Sequence, residues 1–141
     1  MSEEAGGSDK ASGGCRCGAI RYEVTEAPIY SALCHCTDCR ASAGAPVVGW
    51  AAFPAPSFAV VKGIPRAWRG SGAAERNFCP ECGTGLFYIN EDVLPGLVDV
   101  QSATLDDPER FPPQIHVQVA DRLGWMADTS ALPHFDRYPS P

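Results

Sequence analysis

Three cysteines and one histidine lie within six positions of the stretch LCHCTDCR, residues 33–40. The cysteines are Cys34, Cys36 and Cys39, and thiols at this density are typical of a metal site. Zinc takes four protein ligands in a tetrahedron where its role is structural. Where its role is catalytic, it takes three protein ligands and keeps one place open. The question this stretch raises is therefore which group is the fourth ligand.

The other four cysteines form two pairs, Cys15-x-Cys17 and Cys79-x-x-Cys82, each followed by a glycine. The second pair lies in FCPECGTG, which is typical of a zinc knuckle: Pro80 starts the turn, and a glycine with positive φ lets backbone N–H groups point at sulfur. A knuckle supplies two ligands, so a second pair must come from elsewhere in the chain. Cys15 and Cys17 are the natural partner, which divides the seven cysteines into four and three.

Spacing alone also allows Cys36 and Cys39 to pair with the distal knuckle as a two-knuckle ribbon. Side-chain direction favours the first division. Residues two apart in an extended chain point the same way, so Cys34 and Cys36 can reach one metal while His35 points to the other side. His35 is therefore a poor fourth ligand, and we expect a partly buried imidazole satisfied by a backbone group.

Composition excludes several classes of function. The formal net charge is −6, and the two lysines and nine arginines form no basic run, which argues against a nucleic-acid groove. The N-terminal MSEEAGGSDKASGG lacks the apolar core of an export signal, and no segment is apolar enough to span a membrane. We therefore expect a cytoplasmic protein. Seven cysteines in a reducing compartment indicate metal rather than disulfides, and an odd number would leave one thiol unpaired.

The elements that must position these cysteines are predicted to be short strands, because 13 Pro and 14 Gly leave little room for helices. AIRYEVT, residues 19–25, alternates apolar and polar side chains as a half-buried strand does. Residues 1–13 are predicted to be a flexible tail and residues 14–138 a single domain. Short helices are expected after Cys36 and around Leu105–Arg110. The remaining predicted strands are 28–36, 46–53, 58–62, 66–69, 74–78, 86–89, 97–102 and 114–120.

The chain resembles the glutathione-dependent formaldehyde-activating enzyme family, which includes the centromere protein V domain, from about Gly14 to Phe135. The segments that carry the resemblance are CRCGAIRYEV, LCHCTDCRASAGAP, VKGIPRAWRG, RNFCPECGTGLFY and FPPQIHV. The resemblance implies a mainly β fold, a zinc-binding β-tent of several small antiparallel sheets with little helix. It also implies two zinc ions per chain. The structural zinc would be held by Cys15, Cys17, Cys79 and Cys82, and the catalytic zinc by Cys34, Cys36 and Cys39.

The activity implied by the resemblance is that of a carbon–sulfur lyase, joining glutathione to formaldehyde as S-hydroxymethylglutathione. A zinc ion with three thiolates carries a net charge of −1, which makes it a weak Lewis acid but a good place for a fourth, soft thiolate. Asp38 is a candidate general acid, and Arg40 is a candidate contact for a substrate carboxylate. Two alternatives remain: an enzyme for another small thiol or aldehyde, and a non-catalytic zinc module that binds a partner protein.

Overall fold

A computed structural model of the protein describes residues 9–70 and 72–139. The described chain is mainly β with little helix, as the sequence predicts. All nine predicted strands are present, and two of them have the predicted bounds. The strands are β1 (Ala11–Gly14), β2 (Arg21–Val24), β3 (Tyr30–Cys34), β4 (Val48–Pro54), β5 (Phe58–Lys62), β6 (Arg66–Arg69), β7 (Glu75–Phe78), β8 (Gly85–Ile89), β9 (Leu97–Gln101) and β10 (Ile115–Val117).

The smaller sheet is antiparallel and has the strand order β1-β2-β5. Its central strand alternates as predicted, because Tyr22 and Val24 are buried while Glu23 is exposed. The Tyr22 hydroxyl lies 2.7 Å from the Thr104 hydroxyl, which itself donates to the carbonyl of Gln101. The main core packs between this sheet and the larger one. Its largest fully buried members include Tyr22, Phe53, Ile20, Leu86, Val24 and Val100.

The larger sheet has the order β10-β3-β4-β9-β8-β7-β6, and its pairs are antiparallel except for the parallel pair β10–β3. Residues directly opposite each other in neighbouring strands lie on one face of a sheet. Such a row crosses five strands here, at Arg76, Tyr88, Asp99, Ala52 and Tyr30. The sheet thereby places a cation, an aromatic ring and a carboxyl group side by side.

Helix α1, Thr37–Ala43, is the short helix predicted after Cys36. It begins with Cys36 as its N-cap, whose Sγ accepts the N–H of Cys39 at 3.2 Å. It ends at Ala43 and is capped by Gly44, whose φ of 63° is the left-handed conformation that closes many helices. The Cys36-x-x-Cys39 spacing therefore coincides with the first turn of the helix.

Two predicted segments differ from the structure. Residues 1–8 of the predicted tail lie outside the described residues, but Ala11–Gly13 belong to β1, because their backbone pairs with β2. The helix around Leu105–Arg110 is wrong: Leu105 forms a β-bridge with Gly13, and Asp106 accepts a 2.9 Å hydrogen bond from Arg21. These contacts hold the backbone away from a helical path.

The C-terminal part, beyond β10, forms short 3₁₀ helices at Val119–Asp121 and Gly124–Ala131. None of its described residues is buried. Within the described residues, helices are too short or too polar to cross a membrane.

Candidate metal centres and the adjoining cavity

Four cysteines from two distant parts of the chain meet in one cluster. The sulfur atoms of Cys15, Cys17, Cys79 and Cys82 all lie within 4.8 Å of one another. The Cys15–Cys17 and Cys17–Cys79 sulfur separations are 3.6 Å and 3.8 Å. A tetrahedral zinc with Zn–S bonds of about 2.3 Å requires sulfurs roughly 3.8 Å apart. The cluster therefore fits a closed four-thiolate zinc site.

The two pairs in this cluster are built alike. Gly18 and Gly83 each have a φ of 82°. In the distal knuckle the N–H groups of Glu81 and Cys82 point at the Cys79 sulfur, at 3.3 Å and 3.5 Å. In the first pair the N–H of Ile20 points at the Cys15 sulfur at 3.2 Å. Backbone donors in such positions stabilise thiolates, so both turns favour the form of cysteine that binds a metal ion.

Cys34, Cys36 and Cys39 form the second cluster, with sulfur atoms within 4.8 Å of one another. The structure thus brings the seven cysteines together in the predicted groups of four and three. All seven are free thiols, so the disulfide alternative is not realised. Among the described residues, no further His, Cys, Asp or Glu side chain joins these three as a fourth ligand.

Burial raises the pKa of the Cys39 thiol, and burial likewise raises that of Cys34. For Cys36, burial also acts upward, but the N–H of Cys39 and the neighbouring thiols lower the pKa overall. Without a cation, at least part of the cluster therefore holds protons. A metal ion would displace them, because thiolates are the ligating form.

His35 points away from the cysteines on either side of it, as predicted. His35 is 1% exposed, and its Nε2 lies 2.9 Å from Nδ1 of His116 on β10. The predicted backbone partner is replaced by this second imidazole, because the parallel pairing of β10 with β3 places His116 opposite Leu33. Burial lowers the pKa of His35, which favours the neutral ring.

Arg40 is committed to protein groups. Its Nε donates to the carbonyl of His35 at 3.2 Å, and its Nη2 donates to the Thr37 hydroxyl and the carbonyl of Asp121, both at 3.3 Å. It does not line the cavity described below. A contact between Arg40 and a substrate carboxylate stays a prediction, and such a contact would compete with these bonds.

A cavity of about 590 Å³ adjoins the three-cysteine cluster through Asp38 and through Arg76, which contacts the Cys39 sulfur, and it adjoins the distal knuckle through Gly83; none of the seven cysteines is among its lining residues. Its walls come from α1, from Gly83 and Gly85, from Asn77 and Gln101, and from aromatic side chains. The charged residues among its lining are Asp38 and Arg76. Ligand cavities of roughly 300–1,000 Å³ are typical of small-molecule sites, so the volume suits a small thiol. The aromatic lining residues are Trp50, Trp68, Phe78 and Phe87.

Arg76 connects this cavity to the cysteines and was not among the residues predicted for the site. Its Nη2 donates to Asp38 at 2.7 Å and contacts the Cys39 sulfur at 3.6 Å. Its guanidinium carbon lies 4.8 Å from the centre of the Tyr88 ring, in a cation–π contact. An arginine inside a strand three residues before a knuckle is the signal that could have identified it.

Asp99 is the second missed group on this face. It is 8% exposed, its Oδ1 has no hydrogen-bond partner, and burial raises its pKa to about 7. A carboxyl group in this state is close to half protonated at neutral pH.

Comparisons with known proteins show what this chain is similar to. A family model described as "Glutathione-dependent formaldehyde-activating enzyme" matches residues 10–121. An uncharacterized lyase of Schizosaccharomyces pombe is 34% identical over 77 residues, which is 54% of this chain and 55% of that protein. The chain thus spans about half the length of this relative.

A second relative comes from Halomonas elongata and is provisionally named as a glutathione-dependent formaldehyde-activating enzyme. It is 26% identical over 129 residues, covering 81% of this chain and 78% of that protein. The crystal structure of a Rhodobacter sphaeroides protein superimposes with a TM-score of 0.61 at 24% identity, covering 75% of this chain and 99% of that one. That likeness shows a shared fold.

Proposed function

The chain belongs to the glutathione-dependent formaldehyde-activating enzyme family, and from this premise we propose that it joins a small thiol, glutathione first, to formaldehyde. The observation that carries the proposal is the contrast between its two cysteine clusters. Four thiols close the first cluster, whereas the second has three thiols and adjoins a cavity through Asp38 and Arg76. In this proposal Cys15, Cys17, Cys79 and Cys82 hold a structural zinc, and Cys34, Cys36 and Cys39 hold a catalytic one.

The reaction forms one S–C bond and breaks the π bond of the formaldehyde carbonyl, and the thiol proton ends on the new hydroxyl oxygen. When bound, zinc supplies a soft fourth place that lowers the pKa of the substrate thiol while keeping it nucleophilic. The cavity walls orient the body of the thiol. Asp38, at the cavity wall and 2.7 Å from Arg76, is the proposed carrier of the proton.

The cavity lining also favours a second candidate, a zinc-thiol enzyme whose substrate is less charged than glutathione. Glutathione carries two carboxylates, and the one guanidinium among the lining residues is already paired with Asp38. To bind a carboxylate of glutathione, Arg76 would have to release Asp38, or Arg40 would have to release one of its protein acceptors. A cytoplasmic location, where glutathione is abundant and the seven thiols stay reduced, is part of the proposal.

The experiment is calorimetry of thiol binding to zinc-replete protein in buffers of different ionisation enthalpy. Glutathione and cysteamine are each titrated into wild type and into Cys36→Ser. Wild type should bind glutathione and release about one proton at neutral pH, because a free thiol has a pKa near 8.5. The Cys36→Ser variant should not bind it.

Each alternative has its own result. Tighter binding of cysteamine than of glutathione would select the less charged substrate. Binding of neither thiol to fully metallated protein would contradict the enzyme proposal and leave the partner-binding module as the better hypothesis. The enzyme proposal also requires that S-hydroxymethyl product form faster with wild type than in protein-free solution at the same pH.

A further inference from the structure

The two cysteine clusters receive different hydrogen-bond donors. In the four-cysteine cluster, backbone N–H groups of Ile20, Glu81 and Cys82 point at sulfur. In the three-cysteine cluster, Arg76 adds a charged side-chain donor, with Nη2 3.6 Å from the Cys39 sulfur. Among the hydrogen bonds of the described residues, Arg76 supplies the one to sulfur that comes from a cation. The charged donor is thus found at the cluster proposed to be catalytic, and the backbone donors named above at the one proposed to be structural.

Arg76 is largely buried at a position where an arginine lowers the stability of the fold. Its side chain is 11% exposed, and its Nε is buried without a hydrogen-bond partner. A buried donor left without a partner costs about 1–3 kcal/mol. An arginine guanidinium keeps its proton in proteins, even where it is buried. The guanidinium therefore stays charged against the cysteine.

We propose that Arg76 is a positioning residue of the three-cysteine centre, which fixes the Cys39 sulfur by donating a hydrogen bond to it and offsets part of the negative charge of the loaded site. The inference rests on the proposed function, because it requires a metal at these cysteines. Three thiolates and one Zn²⁺ sum to −1, and a substrate thiolate brings the sum to −2. A fixed guanidinium beside one sulfur reduces this charge, and Asp38 and Tyr88 fix its direction.

The test compares the zinc affinity of Arg76→Met and Arg76→Gln with that of wild type, by competition with a chelator. Both variants lack the charge, and neither places a donor at Cys39, since the Gln amide is two bonds shorter than the guanidinium. Arg69→Met is the matched control. It removes an arginine from the neighbouring strand β6, where Arg69 pairs with Glu75 at 2.7 Å, away from the cysteines.

The more labile of the two zinc ions should be bound roughly 10–100-fold more weakly in both Arg76 variants, as is usual when a group that orients a metal ligand is lost. The tightly held zinc should be unchanged and serves as the control for folding. Arg69→Met should match wild type. After exchange of the labile zinc for Co²⁺, the thiolate-to-cobalt absorption should move to lower energy in the Arg76 variants, because a sulfur without its N–H donor is easier to oxidise.

The failures are distinguishable. A wild-type protein that binds a single zinc contradicts the proposed function and the inference with it. Two zinc ions in wild type, with an unchanged labile site in folded Arg76 variants, overturn the inference alone. Should Arg76→Met not fold, Arg76→Gln decides. Loss of both zinc ions together from both variants would show that Arg76 serves the fold and would also overturn the inference.

Discussion

Asp99→Asn should gain stability relative to wild type as the pH rises, because wild type loses stability over this range and the variant lacks the titrating carboxyl group. Asp99 lies on β9 and is 8% exposed, and burial is the cause that raises its pKa to about 7 from an ordinary 3.8. The folded state therefore binds a proton that the unfolded state has released. Stability is greatest below the unfolded pKa and falls as the pH rises through the folded pKa.

The magnitude follows from the shift. About three pH units at about 1.4 kcal/mol each give roughly 4 kcal/mol in total. About 2 kcal/mol of this lies between roughly pH 5.5 and pH 8.5, a window in which zinc sites are easier to keep loaded. An asparagine amide without partners costs about 1–3 kcal/mol, but that cost is the same at both pH values. The difference between the two pH values therefore isolates the carboxyl group.

The assay is urea unfolding of zinc-replete wild type and Asp99→Asn at the two pH values. Asp128→Asn, at an exposed position, is the matched control. The free energy of unfolding of Asp99→Asn, relative to wild type, should rise by about 2 kcal/mol from the lower to the higher pH. It should stay constant for the control. A constant difference for Asp99→Asn as well would refute the reasoning, because it would mean that Asp99 is ionised throughout.

Other predictions concern the metal sites and the core. Mild chelation should remove one of two zinc ions first without unfolding, as followed by elemental analysis and circular dichroism; a single tight zinc in fully reduced, zinc-replete protein would contradict the division of the cysteines. Cys79→Ser should impair folding, since structural zinc contributes on the order of 10 kcal/mol to the stability of the folded state. Cys36→Ser should keep the fold and lose activity. A lower melting temperature for Cys36→Ser than for Cys79→Ser would show that the roles are exchanged. Tyr22→Phe should lower the free energy of unfolding by about 1 kcal/mol, because the buried hydroxyl loses its 2.7 Å bond to Thr104; unfolding equal to wild type would show that this bond contributes nothing net.

The strands were predictable because their determinants are local. The alternation in AIRYEVT and the frequent Gly and Pro residues identify half-buried strands without knowledge of what covers them. The bounds of Phe58–Lys62 and Arg66–Arg69 agree with the structure for this reason. Strand β1 was missed because ASGG carries no apolar pattern, and its pairing with β2 is what makes it a strand.

The cysteine groups were also predictable, since spacing indicated the pairs and alternation along an extended chain favoured the division into four and three. The sequence could not place Arg76 beside Cys39, because 37 residues separate them and their contact depends on where β7 lies relative to α1. The same holds for the cavity and for Asp99, whose pKa is set by the strands that cover it. The candidate metal ligands were thus indicated by neighbours in the chain, whereas the charge and access of the site were decided by neighbours in space, because burial and electrostatic contacts arise only when distant strands pack.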